Sequence, residues 1–445
     1  MPATPLDSAL YRSLFGDIEV GKLFTDSAEI RAMMLVEGAL AKAQGQLGVI
    51  PETSAHAIHR ASLELQIDPS SIVVETGQNG VPVPGLVAAF RAEMNAPEHA
   101  QYLHWGATSQ DIIDTGLALR IRQALVVLDA RLAALLDQLA AMAAANASTP
   151  MIARTWGQAA VPTSFGAIVA SWGAPLLRHR ERLAEVRKGI ETVTLSGAAG
   201  TLAAMDKGAQ VRAAIAQALD LSDPEASRHS TRDGQAMLAA WITGVSNGLG
   251  KFGEDLIFLT ATGIGEMRIA GGGSSSTMPQ KSNPVTPSVL VALARLNTSL
   301  NSAMQGAVIH ASQRDGAAWF TEWLTLPQMI LTCARGLATA NEIAASMTPD
   351  IDAMMANIDA TDGAVFAEAL TFELARIIPR PEAQAAVKVL VSEATADGLT
   401  VEAAARKNHP EIDANRVFSA AQQLGTAPEE ARAFSSACSA SDGGS

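Results

Sequence analysis

The residues best equipped for chemistry fall in four short polar stretches, each placed where a helical pattern starts or stops. The densest is GGGSSSTMPQKSNP, Gly271 to Pro284. Its glycines permit positive φ and close backbone approach, and its hydroxyls with Lys281 and Asn283 are the donors an anionic substrate needs. A mobile linker would also be glycine-rich, but it has no need of Met-Pro-X-Lys-X-Asn-Pro in that order. A second stretch, HWGATSQDIIDT from His104 to Thr115, sets Thr108 and Ser109 ahead of Gln110 and Asp111 at an expected helix start. There the hydroxyls either cap the helix, which is the commoner use, or join the first-turn N–H groups in holding a substrate carboxylate.

The third stretch is ARTWGQAAVPTSFG, Ala153 to Gly166, a polar passage broken by Pro162. Its candidates are Arg154, which is otherwise a surface charge, and Gln158, which is otherwise a hydrogen bonder at a helix end. The fourth is SQRDGAAWFTEW, Ser312 to Trp323. Arg314 can grip a carboxylate in bidentate fashion or pair with Asp315 or Glu322. Trp319 and Trp323, one helical turn apart, read equally well as core.

Long helices must position these stretches. Leu125, Leu128, Leu132, Leu135, Leu136, Leu139 and Met142 recur at steps of three and four until a breaker cluster at Asn146 to Pro150. Further helices are expected over about Ser164 to Thr192, about Gln235 to Glu266, beyond Pro287, and after Pro327. Shorter helical patterns, Ala28 to Gly48 and Ser54 to Leu65, precede them, and ETGQNGVPVPG at Glu75 to Gly85 is a turn-rich passage. No fixed-period repeat and no sustained β alternation is visible. The expectation is an all-α chain of three segments: residues 1–110, a central bundle of five long helices over 111–348, and a small helical segment over 349–445.

The totals agree. At 445 residues the chain exceeds one compact core, and apolar residues reach 48% while aromatics are only 4%, an excess carried by the helix formers Ala and Leu. A net charge of −13, with no stripe of Lys and Arg, argues against a nucleic-acid partner. No apolar run approaches a membrane span, and the opening MPATPLDSAL does not resemble a leader, so a cytoplasmic protein is expected. Cys333 and Cys438 lie far apart and in no metal-ligand spacing, which suits a reducing compartment. With no P-loop, Rossmann glycine pattern, HExxH or Cys/His cluster, an enzyme without cofactor or metal is favoured.

SSSTMPQKSNP resembles the signature loop of the fumarase/aspartase superfamily, a GSSxMPxKxNP pattern, and GATSQDIIDT and RTWGQAAVPTSFG resemble its two other motif regions in the same order. Within the superfamily, LFTDSAEIRAMMLVEGALAKAQGQLGVIP, SGAAGTLAAM, WFTEWLTLP and TDGAVFAEALTFELAR resemble the 3-carboxy-cis,cis-muconate cycloisomerases. The resemblance covers most of the chain. It implies an all-α three-domain fold, a homotetramer of D2 symmetry and active sites shared between subunits. It also implies addition to, or elimination from, a carbon beside a carboxylate of a small anionic substrate, by way of an aci-carboxylate dianion that oriented donors must stabilise.

By position in the motifs, Ser275 corresponds to the catalytic base, with Lys281 and Asn283 as donors to the dianion. Thr108, Ser109, Arg154, Gln158, Ser276, Met278 and Arg314 correspond to substrate-binding positions. Two positions depart from the patterns. Trp156 stands where many superfamily lyases have a histidine, and Ala159 where the cycloisomerases tend to have one. The alternative reading is a C–N lyase that releases fumarate from an N-substituted aspartate. A non-catalytic structural relative would be expected to have lost the signature residues, and Ser275, Lys281 and Asn283 are all present.

Overall fold

The structure is a computed structural model that describes residues 4–270, 273–274, 278 and 281–442. Helices account for 69% of it, and its strands are few and short. The helices that matter below are α1 (Asp26–Gln46), α2 (Glu52–Glu64), α3 (Val83–Met94), α4 (Ser109–Ala145), α5 (Phe165–Ile190), α6 (Gly208–Leu219), α7 (Asp233–Leu259), α8 (Val285–Ala307), α9 (Gly316–Ser346) and α10 (Ile351–Asp359). The five long helices expected from periodicity are therefore α4, α5, α7, α8 and α9. The apolar stripe read on α4 is real: Leu125, Leu128, Leu132, Leu135, Leu136 and Leu139 are all buried. Among the described residues no helix is long and apolar enough to cross a membrane.

Three helix boundaries differ from expectation. Helix α7 stops at Leu259 instead of continuing to Glu266, because the chain turns through Gly263 and Gly265, both at positive φ, and then extends. Helix α8 starts before Pro287, which falls in the first turn, where the missing N–H has no intrahelical partner to lose. Helix α9 starts at Gly316 and carries Pro327 in its interior. A proline inside a helix costs ~3 kcal/mol when exposed. Here the buried neighbours Leu326, Met329 and Ile330 hold the helix across it.

The passage around Pro162, read as a loop, is a β-hairpin. Strand β1 (Pro150–Thr155) pairs antiparallel with β2 (Gln158–Ser164), with an irregularity in the register between Ile152 and Arg154. Thr155 faces Gln158, so the turn is the two residues Trp156 and Gly157, at φ 55° and 76°. Two positive-φ residues define the turn whose twist matches a hairpin, and glycine in the second place is its usual occupant. Tryptophan in the first is not. Two smaller pairs complete the strands: β3 (Met267–Ile269) with β6 (Met347–Pro349), and β4 (Gly273–Ser274) with β5 (Ser282–Asn283).

The chain divides into two compact units whose boundaries cut across the long helices. One comprises Met1–Arg131, His179–Asn247 and Leu293–Leu337; the other comprises Leu132–Arg178, Gly248–Ala292 and Ala338–Ser445. The first has a core built from α1, α2, α3, the start of α4 and α6, centred on Met33, Leu40, Ile58, Leu86, Phe90 and Ile112. The second has Trp172 packed between Phe165 and Phe252, with its indole N–H donated to Asp255 at 2.7 Å.

Candidate active site

In the first unit the polar residues converge on the start of α4. Asp111, fully buried in its first turn, accepts hydrogen bonds at Oδ2 from Thr108 N and Gly197 N, both at 3.0 Å. At Oδ1 it accepts from Ser196 N at 2.8 Å and contacts His229 Nε2 at 2.8 Å. The bond to Thr108 N is the carboxylate half of a capping box, so the helix-capping role falls to Asp111. Among the described residues the Thr108 and Ser109 hydroxyls have no hydrogen-bond partner, which leaves them available at a helix N-terminus.

Gln110 is also fully buried and ties three segments together. Its amide N–H groups go to the His229 carbonyl at 2.9 Å and to Asp114 Oδ2 at 3.3 Å, and its Oε1 accepts from Arg314 Nε at 2.9 Å. Arg314 also donates to the Ala198 carbonyl at 3.2 Å. Neither acid considered as its partner takes it. Asp315 instead caps α9, accepting from the amides of Ala311, Ala317 and Ala318, which hold its carboxyl below the usual range. The exposed Arg314 guanidinium is thus aimed by Gln110 toward the segment at Ser196 to Ala198, beside the α4 N-terminus.

Beneath this lies a buried ion cluster. Arg232 bridges Asp114, with NH1 to Oδ2 at 2.6 Å, and Glu322, with Nε to Oε1 at 2.8 Å and a second bond from NH2 to Oε2. Trp319 donates to Asp114 Oδ1 at 3.1 Å, and His310 Nε2 lies 3.3 Å from Glu322 Oε1. Burial alone would raise the Glu322 carboxyl, but Arg232 and His310 outweigh it and hold it below the usual range. Burial likewise opposes the Arg232 charge, yet Asp114 and Glu322 leave it above its ordinary value. His229 Nδ1 and His310 Nδ1 are both buried without a partner among the described residues.

In the second unit, Arg154 differs from the substrate ligand expected. Its two terminal nitrogens lie on the carboxylate of Glu266, NH1 to Oε2 at 2.8 Å and NH2 to Oε1 at 2.7 Å, and Glu266 is wholly buried. Asn357 on α10 adds a 2.8 Å bond to the same carboxylate, and the Arg154 guanidinium stacks over Phe258. A bidentate pair of this kind fastens the hairpin to the chain following α7. Gln158 is exposed beside the turn, and Trp156 is fully exposed at 100%. Lys281 is exposed, its amide donating to the Met278 carbonyl at 3.0 Å, and the Met278 side chain is also exposed. Asn283, half-buried, pairs with Gly273 and lines a cavity of about 220 Å³ with Met267, Ile269 and Pro287. Ser275 and Ser276 lie outside the described residues.

The sequence singled out Thr108, Ser109 and Arg314, which the structure brings together. It passed over His229 and Arg232, which organise them. The available signal was RHSTRDG, Arg228 to Gly234, a run of charge that leads into the first residues of the apolar helix α7.

A family model described as a lyase matches residues 19–295. A 3-carboxy-cis,cis-muconate cycloisomerase of Pseudomonas aeruginosa is 37% identical over 383 residues, covering 84% of this chain and 83% of the relative. The chain belongs to the fumarase/aspartase superfamily. Among solved superfamily structures, the 3-carboxy-cis,cis-muconate lactonizing enzyme of Pseudomonas putida matches with a TM-score of 0.91 and 32% identity, over 97% of this chain and 99% of the other. A fumarate lyase of Mesorhizobium matches with a TM-score of 0.89 and 30% identity, over 95% and 98%. The all-α architecture expected of the superfamily is thus the observed one.

Proposed function

We propose that this superfamily member is a cycloisomerase that lactonises 3-carboxy-cis,cis-muconate. In the forward direction a carboxylate oxygen of the substrate bonds to a double-bond carbon. The π pair moves toward the neighbouring carbon and its carboxylate, and a proton is added to that carbon. In reverse the same C–H is ionised, the dianion forms, and the ring C–O bond breaks. Ser275 exchanges the proton, while Lys281 and Asn283 stabilise the dianion. Thr108, Ser109, Gln158 and Arg314 hold carboxylates, and Ser276 and Met278 belong to the same loop.

The observation that carries the choice of reaction is the likeness to 3-carboxy-cis,cis-muconate cycloisomerases, 37% and 34% identical over 84% and 88% of the chain, and the hairpin tip is compatible with it. A C–N lyase must protonate a poor leaving group, an amine, whereas ring opening expels a carboxylate, which leaves as an anion. Thr155, Trp156, Gly157 and Gln158 offer no group that exchanges protons near neutral pH, and Trp156 stands fully exposed there. The tip bears on the leaving group alone, since Ala159 stands where the cycloisomerases tend to have a histidine. The second reading is fumarate release from an N-substituted aspartate, supported by the likeness to a fumarate lyase.

The reading includes a cytoplasmic homotetramer with shared sites, no cofactor, and three segments along the chain, residues 1–110, 111–348 and 349–445. It is tested by presenting the purified protein with 3-carboxy-cis,cis-muconate and, separately, with N-substituted aspartates, following loss of the diene absorbance and appearance of fumarate. Turnover of the diene alone is expected. Turnover of an aspartate derivative alone would replace the first reading with the second.

A further inference from the structure

His104 lies on the short loop that leads into α4 and has an unusual backbone, φ 62°. For a residue other than glycine this is a sparsely populated region, and such outliers gather at sites of function. The loop is pinned from several sides. Gln44, fully buried on α1, donates to the Trp105 carbonyl at 2.7 Å, and Gly106, φ 72°, packs against Met205 so closely that a Cβ there would lie 3.1 Å from the methionine side chain. Gly106 O would lie 3.5 Å from a Cβ added at Gly197, and Gly197 hangs on Asp111. The His104 loop, the Ser196–Ala198 segment, Arg314 and the α4 N-terminus therefore surround one place.

The imidazole is oriented by a buried acid. His104 Nδ1 is 2.6 Å from Glu37 Oε1, on α1, and Glu37 is only 1% exposed. A carboxylate accepts, so the ring proton at that end sits on Nδ1. The other nitrogen, Nε2, has no partner among the described residues, and the side chain is 20% exposed. A partly open Nε2 with Nδ1 fixed by a buried carboxylate is the arrangement that presents one ring nitrogen to a ligand. The charges around it are Glu37 on α1, Asp111 on α4 and Arg91 on α3. Burial pulls the imidazole down and Arg91 does the same, but the charge and hydrogen bond of Glu37, with Asp111 behind it, outweigh them and hold it above its ordinary value.

We propose that His104, held as an imidazolium by Glu37, is a catalytic hydrogen-bond donor. Its Nε2–H receives the substrate carboxylate whose second negative charge develops as the neighbouring C–H ionises. No proton is transferred to or from the ring in this step. The ring is a fixed cation placed where charge accumulates, which is the most effective use of an oriented donor in a site closed to water. This role rests on the cycloisomerase reading for its substrate, and on the geometry of the loop for its residue.

The test uses the full-length protein and the variants His104→Gln and Glu37→Gln, each first shown to be folded by circular dichroism and thermal melting. With 3-carboxy-cis,cis-muconate, His104→Gln is expected to lower kcat/KM by roughly 10²–10³-fold, as loss of one oriented donor does. The wild-type pH profile is expected to fall on an alkaline limb as the imidazolium loses its proton. Glu37→Gln removes the group that raises the imidazole, so it should shift that limb to lower pH while leaving activity on the acid side. A merely structural His104 would move neither limb.

A second arm needs no turnover. Tricarballylate, a saturated tricarboxylate, should bind wild type about tenfold more weakly, by tryptophan fluorescence, above the limb than below it. The same titration on His104→Gln should be flat with pH. A His104→Gln enzyme within threefold of wild type, or a limb unmoved in Glu37→Gln, overturns the role. If wild type fails to act on the diene, the substrate reading falls, and the tricarballylate arm still decides the residue.

Discussion

Replacing Arg232 by methionine should cost the first unit about 3–5 kcal/mol at neutral pH, the usual loss when one partner of a buried ion cluster is removed. Arg232 is 2% exposed and Glu322 is 1% exposed, so water cannot take over the guanidinium's work. Asp114 would keep Trp319 and Gln110, but Glu322 would keep only His310. For a unit of this size the loss is a fall in melting temperature of roughly 6–20 °C.

The pH dependence has a definite sign. In wild type the Glu322 carboxyl is held below its usual value, so its stabilising contribution is present above the unfolded pKa of about 4.3 and is lost as pH falls through the folded value. Without Arg232, burial dominates and the carboxyl moves above its usual value. The variant is then penalised at neutral pH and relieved by protonation as the pH drops. Melting curves at several pH values between about 4.5 and 7.5 should therefore show a gap to wild type that is widest at the top. Combining Arg232→Met with Asp114→Asn and Glu322→Gln should recover at least half of it, because no buried charge is left unpaired. An Arg232→Met variant within about 1 kcal/mol of wild type at neutral pH would refute the reasoning. So would a loss independent of pH.

Ser275→Ala should abolish turnover of the diene with the melting temperature unchanged, and Lys281→Met should lower kcat and raise KM together; substantial activity in the former would remove Ser275 as the proton-exchanging group. Gly166→Ala, in the first turn of α5, would set a methyl 2.5 Å from the Ala143 carbonyl and 2.8 Å from Ala147 Cα. Because both neighbours are backbone, a loss of about 1–3 kcal/mol is expected in thermal melts, and an unchanged melting temperature would contradict it. Trp156→Asn should stabilise the protein by up to about 1 kcal/mol, since asparagine tolerates positive φ better and a fully exposed indole gives up no packing. If activity falls in that variant while stability rises, the strained tryptophan is retained for function.

Much of the architecture was legible because it depends on period. The leucine stripe of α4 repeats at three and four residues, and the same six leucines are buried. The helix ends were less legible. Proline was read as a start signal at Pro287 and Pro327, yet α8 absorbs the first in its opening turn and α9 carries the second within a packed interior. The hairpin went unseen because its turn is Trp-Gly instead of Asn-Gly and its strands alternate poorly across the irregularity at Ile152 to Arg154. Among the candidate site residues, Thr108, Ser109 and Arg314 are singled out by their types in short polar stretches, and Arg314 lies on Gln110, next to Ser109. The partner of Arg154 is not, since Glu266 lies 112 positions away.

What the sequence determined by itself is the helical class, the order of the long helices and the set of donors suited to an anionic substrate. Those follow from local propensity, apolar period and side-chain chemistry, all carried within a few residues of each other. The tertiary structure decided which polar residues are spent on holding the frame. Arg154 looks like a site residue in the sequence, but its hydrogen bonds are spent on Glu266, as those of Asp111 are on the amides of Ser196 and Gly197. His104 looks ordinary until Glu37, 67 positions earlier, is found against its ring. Burial and pairing are set by contacts distant in the chain, and they convert one arginine into a bolt and one histidine into a fixed cation.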